Sequence, residues 1–211
     1  MAIGSQFARL NPRGGRRRVY VAAGDSNTHR QGVLSVYPWL VRVNDSAHFT
    51  GGAAGVINSG VRGDTTDDLL SGLDSLVLRH TPTVTSLMFG TNDHATSAGE
   101  PLVPLTRFEA NLHTAIKRIP GRLILITPPY VQASETRSLT ILRQYVDVIW
   151  QVARLGGAQV LDAFSITGDL CGWSDSVWVE KYASDGTHLN NAAHAAIYAK
   201  LLPLLIGLGA H

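Results

Sequence analysis

Short apolar runs alternate with longer amphipathic stretches along this chain, and that alternation constrains the fold more than any other feature of the sequence. Arg18 to Ala23 (RVYVAA) reads as a strand stopped by Gly24. Gly55 to Asn58 (GVIN), Thr83 to Phe89 (TVTSLMF), Arg122 to Thr127 (RLILIT) and Ala158 to Asp162 read as four more. Between and after them, helical periodicity covers Leu34 to Ala47, Asp64 to Arg79, Leu105 to Ile119, Arg137 to Leu155 and Asn190 to Ile206. Leu69, Leu70, Leu73, Leu76 and Val77 fall on one face of the second of these helices, and Thr65 or Thr66 can cap it. The region from Ala163 to Ser184 reads as a loop. A strand–helix unit repeated five times predicts an α/β fold, a three-layer α/β/α sandwich around a parallel sheet with right-handed crossovers. The expected strand order is 2-1-3-4-5, the flavodoxin-like, doubly wound form of five-stranded parallel sheet. Such sheets place ligands beyond the carboxyl ends of their strands. Chemistry should therefore cluster just after the strands.

Charge separates an arm from a body. Residues 1–18 hold five arginines and no acid, whereas the rest of the chain has 13 basic residues against 16 acidic ones, a balance of −3. The formal net charge of +2 thus belongs to an Arg-rich N-terminal arm, read as a solvated lead-in to a single domain over 19–211. The charge is confined to the arm, so no nucleic-acid partner is expected. The arm does not read as a secretion signal, because the apolar run after Arg18 is only Val19 to Ala23. No apolar run reaches the about 18 residues of a membrane span, so the default compartment is the cytoplasm. The one cysteine, Cys171, excludes an internal disulfide. Eight histidines are present, but none stands in a His-x-x-x-His or Cys-x-x-Cys ligand pair, so no metal is expected.

Four polar motifs sit where the strands end. The first strand runs into Gly24-Asp25-Ser26-Asn27, where a glycine allows a sharp turn and the following backbone offers free N–H groups. The second ends in Asn58-Ser59-Gly60, and Gly60 can bring a backbone N–H close to a substrate. The third ends in Gly90-Thr91-Asn92-Asp93; Asn92 offers a neutral NH₂ donor, and Asp93 reads as the cap of a turn or helix. Just before the last helix comes Asp185-Gly186-Thr187-His188, in which Asp185 can accept the ring N–H of His188. Each motif alone also reads as an ordinary turn. Together they supply a nucleophile (Ser26), a base (His188), an orienting acid (Asp185) and donors for an oxyanion at one sheet edge.

This constellation resembles the SGNH hydrolases, the GDSL-type esterases and lipases, with Ser26 in GDSN, Gly60 in NSGVRGDT, Asn92 in GTND and His188 in DGTHLN. Asp185 matches the family's acid, three residues before the histidine. Asn27 replaces the usual leucine after the serine, a variation expected to leave the chemistry untouched. The resemblance implies an acyl-enzyme mechanism without metal or cofactor. Ser26 attacks an ester carbonyl, His188 takes its proton, and the N–H groups of Ser26 and Gly60 with the Asn92 side chain hold the oxyanion. It implies activity that rises with pH as His188 loses its proton.

Other residues were weighed against this set. Asn27, His94 and His29 are candidates to border the pocket. Trp173, Trp178 and Tyr182 can form a wall that stacks on a sugar or aryl group, or can cover the core. The expected substrate is a small-molecule or carbohydrate ester with a short acyl group, such as an acetyl. A thioesterase or lysophospholipase of the same chemistry, and a non-catalytic glycan-binding module on the same fold, are the alternatives. A flavin or nucleotide binder is disfavoured because GDSNTHRQG is not a phosphate-cradling loop.

Overall fold

The strands form because their residues are apolar on both faces. In the computed structural model, which describes residues 18–29 and 54–209, β1 (Arg18–Gly24) buries Tyr20 and Ala22 on one side of the sheet and Val21 and Ala23 on the other. A strand covered on both faces reads as a continuous apolar run, as these do. β2 (Ala54–Gly60), β3 (Val84–Met88), β6 (Arg122–Ile126) and β7 (Gln159–Leu161) complete a parallel five-stranded sheet in the order β2-β1-β3-β6-β7. Numbered among the parallel strands alone, this is the expected 2-1-3-4-5. A small antiparallel hairpin, β4 (Thr96–Ser97) with β5 (Glu100–Pro101), lies outside that sheet.

Helices cover both faces. On the Val21 side, α1 (Thr66–Leu76) contributes Leu69 and Leu73, α2 (Leu105–Arg118) contributes Phe108 and Leu112, and α3 (Leu139–Gly156) contributes Tyr145 and Ile149. On the Tyr20 side lie Phe164 of α4 (Ala163–Leu170), Trp178 of α5 (Asp175–Lys181) and Ile197 and Leu201 of α6 (Asn191–Gly209). Local signals set the helix limits. Asp68 accepts a hydrogen bond from the Thr65 N–H (2.9 Å) at the start of α1, Ser138 caps α3, and Gly157 ends it in a left-handed conformation (φ 70°).

One region departs from the sequence reading. The region read as a loop before Asp185 contains α4 and α5, which span only 8 and 7 residues. Helices of two turns are too short to show periodicity, although Asp162, whose Oδ1 accepts from the Ser165 N–H, marks the start of α4. The last-helix, β1 and α2 limits agree within a few residues. The helix expected over Leu34 to Ala47, and residues 1–17 of the Arg-rich arm, lie outside the described residues. Among the described residues no helix is long and apolar enough to cross a membrane.

Register brings the carboxyl ends of the strands together. Gly24 pairs with both Gly60 and Met88, Met88 with Ile126, and Ile126 with Leu161. All five strands therefore finish along one edge, and the turns that follow them share one space.

Leu73 is fully buried in α1, whereas Leu155 of α3 is 66% exposed. Leu73→Ala is expected to lower the unfolding free energy by about 2–5 kcal/mol, and Leu155→Ala by less than about 0.5 kcal/mol, as read by urea unfolding.

Candidate active site

Two glycines let the first turn form. A Cβ on Gly24 would sit 2.7 Å from the Met88 carbonyl oxygen and 2.2 Å from Thr28 Oγ1; one on Gly60 would sit 2.4 Å from the His29 nitrogen. Only residues without a side chain allow the Ser26 turn to fold back against β2 and β3. The turn is closed by Thr28 and His29 N–H donors to the Asp25 carbonyl (3.1 and 2.9 Å) and by the Asn27 N–H to Asp25 Oδ1 (2.8 Å). Ser26 emerges at its apex, 7% exposed.

The second half arrives from the other end of the chain. Asp185 Oδ1 accepts the N–H groups of Thr187 (3.0 Å) and His188 (2.7 Å), a tight side-chain turn helped by Gly186 at φ 77°. Asp185 Oδ2 lies 2.6 Å from His188 Nδ1, and His188 Nε2 lies 2.9 Å from Ser26 Oγ. An ionised carboxylate only accepts, so Nδ1 carries the proton and Nε2 presents its lone pair to the serine hydroxyl. Partial burial pushes the Asp185 carboxyl up. The His188 and Thr187 hydrogen bonds and the imidazole charge more than offset this and hold it below the usual carboxylate range. A hydroxyl on the lone pair of an imidazole that is itself held by a carboxylate is the arrangement in which a weak nucleophile can lose its proton as it attacks.

A cleft of about 360 Å³ opens over this group. Ser26, His188, Thr187 and Asn92 line it, together with Arg62, Gly63 and Arg137. Asn92 Nδ2 donates one hydrogen to the Asp64 carbonyl (3.0 Å), which leaves the second hydrogen of its NH₂ for a ligand. Gly60 stands at the expected edge but does not line the cleft: its N–H donates to Asn58 Oδ1 (2.9 Å), while Asn58 Nδ2 donates to the Thr28 carbonyl (3.0 Å).

Several expected pocket residues are placed elsewhere. Asn27 is buried, and its Oδ1 accepts the Leu189 N–H (3.1 Å); it joins the serine turn to the histidine loop instead of facing substrate. The leucine usual at this position has no such acceptor. His94 is fully buried with Nδ1 on the Gly90 carbonyl (2.8 Å), and burial first, then the charge of Arg137, pushes it down to about 4, so it is neutral. Trp178 is fully buried; it stacks near Tyr182 and donates its ring N–H to the Gly186 carbonyl (3.0 Å), supporting the histidine loop from below. Trp173 is partly exposed but packs on Phe164, Tyr130 and Arg143, away from the cleft lining. The rings expected as an aromatic wall are thus split, with Trp178 of α5 in the core and Trp173, between α4 and α5, at the surface. Asp93 is buried and accepts from the Thr66 N–H (2.8 Å), Thr66 Oγ1 (2.6 Å) and the Gly90 N–H (3.0 Å), so it caps α1.

Arg62, Gly63, Thr187 and Arg137 were not singled out from sequence. Arg62 and Gly63 stand two and three positions beyond the end of β2, so the strand-end rule applied residue by residue would have found them. Arg137 stands eleven positions beyond the end of β6 and was read as the first residue of a helix that starts only at Leu139.

With that geometry in place, comparison with known proteins identifies the lineage. Residues 22–196 match the GDSL-like Lipase/Acylhydrolase family. The chain belongs to that family. It is a carboxylic ester hydrolase. Among solved structures, a lipase/acylhydrolase from Enterococcus faecalis is 29% identical, with 90% of this chain and 96% of that one covered at a TM-score of 0.76. An acetylxylan esterase from Geobacillus stearothermophilus is 21% identical, covering 92% and 94% at a TM-score of 0.73, and shares the fold. A search of curated proteins gave no match.

Asp25, beneath Ser26, is buried, and burial pushes its carboxyl up to about 6; Asp93 adds to the shift, while the Asn27 N–H, the Thr91 hydroxyl and His188 reduce it. A raised folded value means that folding disfavours the charged form. Stability is therefore lost as pH rises from about 4 through about 6. Asp25→Asn keeps an Oδ1 for the Asn27 N–H and removes the charge. Thermal and urea unfolding are expected to show it more stable than wild type above pH 6, on the order of 2–3 kcal/mol, with the gain gone below pH 4. Asn27→Leu leaves the buried Leu189 N–H without its acceptor and is expected to cost about 1–3 kcal/mol in the same assay.

Proposed function

We propose that this esterase cleaves short-chain carboxylic esters, acetyl esters first, with Ser26 as nucleophile, His188 as general base and Asp185 as the acid that orients it. The observation that carries the reading is the unbroken relay of 2.6 and 2.9 Å from Asp185 through His188 to Ser26. Ser26 Oγ attacks the ester carbonyl carbon while its proton passes to His188 Nε2. The oxyanion takes hydrogen bonds from the Ser26 N–H and Asn92 Nδ2, joined by the Gly60 N–H as it leaves Asn58. The carbon–oxygen bond to the alcohol then breaks, and His188 returns the proton to the departing oxygen. Water attacks the acyl-enzyme, gives its proton to His188, and the acid leaves as Ser26 recovers its own.

A short acyl group is supported by the cleft of about 360 Å³, near the small end of ligand sites. A carbohydrate ester is the further reading: the Geobacillus structure is described as an acetylxylan esterase. Residues 19–211 are read as one catalytic domain behind the Arg-rich arm.

The test is turnover of p-nitrophenyl acetate. Ser26→Ala and His188→Ala are expected to lose about 10⁴–10⁶-fold in kcat while remaining folded by circular dichroism, and Asp185→Asn to lose less than either. Wild-type turnover that Ser26→Ala leaves unchanged sinks the assignment.

A further inference from the structure

The cleft beside Ser26 carries two guanidinium groups, Arg62 and Arg137, and among the described residues that line it there is no carboxylate. This runs against the rest of the chain, which holds more acids than bases from residue 19 onward. Asp185, beside the cleft, is already committed to His188 and Thr187.

Arg137 is the more telling of the two. Its backbone is tied down by paired hydrogen bonds with Ser134 (2.9 and 3.3 Å). Its neighbour Thr136 accepts from the Thr96 N–H (2.8 Å), and the Gln132 N–H reaches the Gly186 carbonyl (2.8 Å). The segment is therefore fastened to the loop that carries His188. The side chain is half-buried, its Nε is buried with no hydrogen-bond partner, and among the described residues no carboxylate lies within ion-pair distance of it. A partly desolvated guanidinium with an unmet donor is unfavourable unless an anion completes it. Its planar fork matches a carboxylate or phosphate. Arg62, on the turn between Gly60 and the left-handed Gly63 (φ 80°), adds a second positive charge to the same cleft, where low-dielectric walls concentrate the field.

We infer that Arg137 and Arg62 form an anion subsite beside Ser26, so that the favoured substrate is an ester whose alcohol moiety carries a carboxylate or phosphate. This rests on the proposed short-acyl esterase reading, which places the charge on the alcohol side. Recognition is electrostatic and reaches the transition state as well as the ground state, so it appears in kcat/KM.

The experiment compares 3- and 4-acetoxybenzoate with their neutral methyl esters, and 4-acetoxyphenyl phosphate with phenyl acetate. Wild type, Arg137→Ala, Arg137→Lys and Arg62→Ala are assayed at low ionic strength. The readout is the ratio of kcat/KM for the anionic over the neutral ester. Arg137→Ala is expected to lower that ratio about tenfold or more, Arg137→Lys to restore part of it, and added salt to lower the wild-type ratio. Whichever anionic probe shows the larger effect names the group, carboxylate or phosphate. A ratio indifferent to Arg137→Ala, Arg62→Ala and salt overturns the subsite, even with the methyl esters cleaved normally. Should Arg137→Ala fail to fold, the salt titration of wild type and the Arg62→Ala ratio decide the matter. Failure of wild type to cleave any of the acetyl esters instead overturns the short-acyl esterase reading itself, and the subsite with it.

Discussion

Two hydrogen bonds join residues 162 positions apart: His188 Nε2 to Ser26 Oγ, and the Leu189 N–H to Asn27 Oδ1. The rest of the site depends on this junction. Ser26 follows β1, the second strand in the sheet order, whereas His188 follows β7 and two short helices. Neither turn can hold a relay of hydrogen-bond length by itself. The sheet sets the distance, because register places all five strand ends along one edge. The Asn27 contact then locks the two turns together in a buried setting, where a missing acceptor is expensive. From below, Trp178 and Gln132 both donate to the Gly186 carbonyl, so the histidine loop rests on the core rather than projecting from it.

The charges around this junction are layered. Beneath the serine turn lie two buried acids, Asp25 and Asp93, both pushed up by burial; Asp93 meets three hydrogen-bond donors and ties α1 to the end of β3. Arg62 and Arg137 line the cleft. His94, pushed down by burial and by the charge of Arg137, is neutral and donates to a backbone carbonyl. Such an arrangement separates the groups that shape the backbone from those that line the cleft. The acids work as fixed acceptors for N–H groups that the turns leave over, and the arginines present charge to whatever enters.

Packing also decided roles that residue type left open. Tryptophans near a site suggest a stacking wall, yet Trp178 is fully buried and Trp173 sits over Phe164 with Arg143 on its ring. A histidine two residues from Asn92 suggests a pocket lining, yet His94 turns inward because its helical turn hydrogen-bonds back to Gly90. Asn27 looked exchangeable with leucine, and its amide oxygen became a strut between distant segments. In each case the side chain offered two uses, and the neighbours brought by the fold chose one.

The order of the parallel strands and the placing of Ser26, Asn92, Asp185 and His188 in the turns at one sheet edge were legible in the sequence. Each depends on local chemistry: apolar runs of strand length, glycine where a chain must turn sharply, and an acid and base close enough in sequence to share one turn. Tertiary structure alone decided what depends on distance through space. It set the 2.9 Å between Ser26 and His188, gave the Gly60 N–H to Asn58, buried His94 and Trp178, and brought Arg62 and Arg137, 75 positions apart, to one cleft. Spacing along a chain constrains a contact only within a turn or two; beyond that, the sheet register determines which residues meet.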